Sequence, residues 1–154
     1  MSEKEEPKKE QKEEKVETKA EEPVKKAPKS SPFISDKDVF DVTVYYTEKD
    51  KETVILPTSE DGCESITVTF RYPDFQTRQQ IIQASTQINE SGVPSLNFLQ
   101  LQNAMLYTLA MSWDVKDSKG EPVPLTHIGN LKVVIAAAIL NGLSGKLGTE
   151  SFLI

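Results

Sequence analysis

The sequence predicts an α+β fold: a small antiparallel sheet of about three strands, then three helices, behind a disordered charged tail. Three observations carry that expectation. Composition breaks after Ser31, residue alternation runs through 39–72, and apolar residues recur at helical spacing from 75 to 143. Residues 1–31 hold nine Lys and nine Glu, leaving nine Lys+Arg and fifteen Asp+Glu of the chain totals of 18 and 24. The whole net charge of −6 therefore sits on residues 32–154, read as a single domain. Residues 1–31 are too poor in apolar side chains to offset backbone ordering, which costs roughly 1–2 kcal/mol per residue. Their Lys and Glu alternate closely, so their fields cancel within a Debye length of about 8–10 Å.

The elements follow in order. Val39–Tyr46 alternates, with Phe40, Val42, Val44 and Tyr46 on one side and Asp41, Thr43 and Tyr45 on the other, a strand pattern. Thr47–Glu52 is a polar turn, and Thr53–Pro57 a second strand that could close a hairpin. Asp61-Gly62 marks a turn, after which Ser65–Tyr72 alternates again, Ile66, Val68 and Phe70 facing together until Pro73. Asp74 is placed to cap a helix over Phe75–Asn89. Ser95 can cap a second over Leu96–Trp113, striped by Phe98, Leu101, Met105 and Leu109 and flanked by Leu99, Leu106 and Trp113. A third runs from His127 or Ile128 to Leu143 behind Thr126. Gly142, Gly145 and Gly148 are expected to terminate it, ahead of a short apolar end at Ser151–Ile154.

Several function classes fall away. An acidic domain lacks the basic face that neutralises nucleic-acid phosphates. The apolar run Val133–Leu140 is far shorter than the ~20 residues that cross a bilayer. One cysteine permits neither an intramolecular disulfide nor a multi-Cys zinc motif. Cys63 stands beside Asp61 and Glu64, whose charge disfavours a thiolate. No nucleophile motif accompanies His127, the single histidine. Asp114, Asp117 and Glu121 fail the ligand spacing of a calcium loop, with Lys116 and Lys119 interleaved. These readings leave a chain without catalytic, cofactor or metal residues. They also leave two helices apolar over most of their circumference. Either three strands and one amphipathic helix cover both, or a partner protein completes the cover, a homo-oligomer being one form of it.

Leu106–Val134 carries a resemblance. An apolar helix closes on Ser112-Trp113-Asp114-Val115. A polar turn follows with Gly120, then Pro122-Val123-Pro124-Leu125-Thr126, then a helix entered through Ile128, Asn130 and Leu131. This pattern, with Arg71-Tyr72-Pro73-Asp74-Phe75 before the first helix, resembles the tail assembly chaperones of long-tailed bacteriophages. The resemblance implies a non-enzymatic protein in the cytoplasm of an infected bacterial host. It would keep the tape measure protein soluble and assist recruitment of tail tube subunits. On this reading Leu99, Met105, Leu106, Leu131, Ile135 and Ile139 are the contact candidates. Trp113, Gly120, Pro122 and Pro124 would shape the turn that orients the two helices. The alternative is a small structural protein of the virion's tail or neck, its apolar helices permanently buried in a ring or connector.

Overall fold

The computed structural model describes residues 31–148; the expected tail and the apolar terminus at Ser151–Ile154 lie outside them, but for Ser31. The fold is α+β, in two layers. Strands β1 (Val39–Lys49), β2 (Glu52–Leu56), β3 (Glu64–Arg71) and β6 (Ala110–Trp113) form one antiparallel sheet in the order β2-β1-β3-β6. Two further strands, β4 (Thr86–Ile88) and β5 (Pro94–Leu96), pair as a separate small hairpin.

Alternation decides which face of the sheet is dry. Val42, Val44, Ile66, Val68 and Phe70 all point inward and are buried, and Phe40 stacks on Phe70 at a ring separation of 5.8 Å. The opposite face is polar and knitted by side chains. The Thr43 and Thr67 hydroxyls lie 3.0 Å apart, and Thr69 Oγ1 donates to Asp41 Oδ1 at 2.6 Å.

Three helices cover the dry face: α1 (Phe75–Ser85), α2 (Phe98–Leu109) and α3 (Val133–Leu147). Helix α1 packs on α2, while α3 packs on β1 and β2. Ile81, Leu101, Met105, Leu106, Leu109, Ile135, Ile139 and Leu143 meet the sheet in one core. Gly142 sits over β1, where an added Cβ would lie 2.5 Å from Val42 Cγ1. The missing side chain lets α3 settle onto the strand.

Several sequence expectations need correction. The helix expected over Phe75–Asn89 stops at Ser85, because the chain turns extended at Thr86 to pair with β5. The helix expected over Leu96–Trp113 spans Phe98–Leu109; Asn97, not Ser95, caps it, its side chain accepting from Gln100 N. Ala110–Trp113 then joins the sheet beside β3, so the sheet has four strands and the last comes after the second helix. A 3₁₀ turn occupies Leu125–Asn130, and α3 begins only at Val133 because Leu131 and Lys132 are extended. Gly142 and Gly145 lie inside α3 rather than ending it. The terminator is Gly148, at φ 70°.

Asp74 caps α1 as the sequence suggests, its carboxylate accepting from Thr77 N at 2.7 Å. That backbone hydrogen bond, with the Thr77 hydroxyl, holds its pKa below the ordinary 3.8. Because the folded-state pKa is the lower one, the cap stabilises fully above the ordinary value and fades as pH falls through the folded value. Urea melts of Asp74→Ala are therefore expected to lie below wild type at pH 6, with the gap closing below about pH 4. A gap that persists unchanged in acid would show that the carboxylate charge is not what caps the helix.

Candidate interaction surface

Charge is distributed unevenly over the domain. Helices α1, α2 and α3 contain no Asp or Glu, and Arg78 and Lys146 are their charged residues. The acidic residues of the described chain stand instead on strands, turns and caps. On α2 the buried line Leu101, Met105, Leu109 leaves Leu99, Asn103 and Tyr107 facing water. On α3 the buried line Ile135, Ile139, Leu143 leaves Val133, Val134, Ala137 and Asn141 outside. Leu99 is 67% exposed, Tyr107 59% and Val133 82%, where a lone surface apolar residue would be unremarkable but two uncharged helical strips are not.

The α2 strip runs into a cleft of about 220 Å³ lined by Leu106, Tyr107, Ala110, Leu125, Thr126 and Ile128. Tyr107 joins α2 to the 3₁₀ turn: a Cβ on Gly129 would sit 2.6 Å from its hydroxyl. Glycine is thus what lets the phenol lie over that turn.

The contact candidates named from sequence divide cleanly. Leu99 is on the surface. Met105, Leu106, Ile135 and Ile139 are core residues, each 5% exposed or less, and cannot be the outward contacts they were expected to be. The error is one of helical phase: the stripe pointed at the sheet, and the exposed residues lie half a turn away. Leu131 is half-buried against the core. Val133, Val134, Phe98 and Tyr107 are exposed and were not among the contact candidates. The 100° rotation per residue places Tyr107, Val133 and Val134 off the buried lines, whereas Phe98 lies on the side of Leu101, Met105 and Leu109 and is exposed at the first position of α2.

Trp113, Gly120, Pro122 and Pro124 lie in the segment between α2 and α3. Trp113 Nε1 donates to Val123 O at 2.6 Å, fastening the turn to β6. Gly120 takes φ 83°, and Lys116 bridges to Pro122. Pro124 precedes the 3₁₀ turn. Asp117 accepts from Lys119 N and Glu121 N at 2.8 and 2.9 Å, so its carboxylate closes the turn. Asp114 Oδ1 accepts from Thr67 N at 2.8 Å, continuing the β3 edge. Among the described residues no three of His, Cys, Asp and Glu gather as a metal-binding group.

A second, polar cleft of about 310 Å³ is lined by Tyr46, Glu64, Ser65, Ile66, Asp114, Val115 and Lys116. Burial, and then its hydrogen bond to Glu64, push the Tyr46 phenol up to about 12. The phenol therefore stays protonated throughout the physiological range. No helix among the described residues is long and apolar enough to cross a membrane. Comparison with protein-family models, curated proteins and solved structures finds no match.

Proposed function

We propose that this protein is a non-enzymatic tail assembly chaperone of a long-tailed bacteriophage. It binds the helix-rich tape measure protein in the cytoplasm of the infected host and assists recruitment of tail tube subunits. The observation that carries the reading is the carboxylate-free helical layer, exposing Leu99, Tyr107, Val133 and Val134 on an otherwise acidic domain. An uncharged strip of this kind can take the apolar face of a client helix, while the acidic remainder keeps the complex soluble. The resemblance over Leu106–Val134 is the ground for proposing the tape measure protein as the client.

The test is purification of the chain with the tape measure protein of the same phage, comparing wild type with Leu99→Asp and Val133→Asp. Both positions lie in the first turn of a helix, where a carboxylate is favourable, so neither change should harm folding. Each is expected to weaken client binding about tenfold while leaving the melting midpoint nearly unchanged. Undiminished binding by both variants would remove the helical strips from the proposal. Stoichiometric recovery of the chain from purified virions would select a structural tail or neck component instead.

A further inference from the structure

Strand β1 is eleven residues long, yet β2 pairs only with its last five, Tyr45–Lys49. Pro57 follows β2 directly and, lacking an N–H, stops the ladder there. Among the described residues no strand lies beside Val39–Val44 on that side. The direction of the backbone groups follows from two independent observations. The β1–β2 loop has two residues, Asp50 and Lys51, at φ 52° and 68°, so Lys49 and Glu52 exchange hydrogen bonds and odd-numbered β1 residues point toward β2. At the other end Tyr72 N donates to Asp38 O, so even-numbered residues point toward β3. Asp41 and Thr43 therefore direct their N–H and C=O groups to the open side.

The far edge of the sheet is protected differently. There β6 is four residues long and irregular, with Met111 bulged between Ser112 and Ala110 in the pairing with β3. The open part of β1 has no proline, no lysine and no bulge.

We infer that the Asp41–Thr43 edge of β1 is a strand-addition site for an extended partner segment, apolar at alternate residues and basic opposite Asp41. The alternation matches Phe40, Val42 and Val44 on the helix-covered face, and the basic residue answers the exposed Asp41 carboxylate. This inference is independent of the chaperone reading, which uses the helices.

The probe is a blocked pentapeptide, Val-Thr-Val-Lys-Val, antiparallel to β1 with its lysine opposite Asp41, added to the full chain and followed by amide hydrogen exchange. In the free protein the Asp41 and Thr43 amides are expected to exchange faster than those of Val42 and Val44, which donate into β3. The peptide should slow both, and bind about two- to fivefold more tightly than the same peptide with glutamate replacing lysine. Thr43→Pro removes one open N–H without touching a ladder bond and is expected to abolish the protection while the fold persists. If that variant fails to fold, Asp41→Lys supplies the second arm and should reverse the preference to the glutamate peptide. Three results would overturn the inference: Asp41 and Thr43 amides already protected in the free chain, protection that grows with protein concentration and so reports a second copy, or no effect of the peptide.

Discussion

Replacing Ile139 by alanine is expected to destabilise the fold by about 2–5 kcal/mol, the range for truncating a fully buried aliphatic side chain. Ile139 is completely buried, in a core shared with Val42, Leu109 and Leu143. The loss combines the transfer free energy of the removed methyl and methylene groups with the cavity left between sheet and helix, which rigid strands fill poorly. A urea melt should show a lower midpoint with an unchanged slope, and the thermal midpoint should drop by roughly 10 °C. Leu99→Ala, on the exposed strip, should move neither by more than about 0.5 kcal/mol. The pair separates packing from recognition. An Ile139→Ala variant of wild-type stability that had lost its client would place this side chain outside the core.

The second large effect concerns Gly142. A Cβ there meets Val42 Cγ1 at 2.5 Å, and valine would add two more carbons to the same space. Gly142→Val should therefore force α3 away from β1, at a cost of about 1–3 kcal/mol, only partly offset by better helix propensity. Val42→Ala alone should also destabilise, by opening a void. Together the two changes should cost at least ~1 kcal/mol less than their sum, because the added methyls occupy what the valine vacated. Simple additivity in this cycle would mean that helix and strand do not touch at these positions.

Long-range alternation was legible because it repeats. Residues 39–46 and 65–72 show their inward faces several times over, and the strands lie within a few residues of that expectation. The shorter strands were not legible. Thr86–Ile88 and Ala110–Trp113 are too brief to display a period of two, and no glycine or proline separates them from the helices before them. What ends those helices is competition: pairing with β5 and with β3 captures backbone groups that would otherwise continue the spiral. Gly142 misled for the opposite reason, since a glycine serving close approach looks the same in sequence as one serving termination. Exposed helical apolar area was legible in kind, but of the helical contact candidates only Leu99 lies on the exposed side. Phase around a helix is decided by which stripe the sheet takes, and α2 and α3 are apolar enough to offer more than one.

The passage from Leu109 to Ala110, where α2 ends and β6 begins without an intervening residue, has a mechanical consequence. There is no slack at that junction to serve as a hinge. A tug on α2 is delivered undiluted to the rim of the sheet, and β6 cannot swing out to be exchanged between neighbouring molecules unless the end of the helix unwinds first.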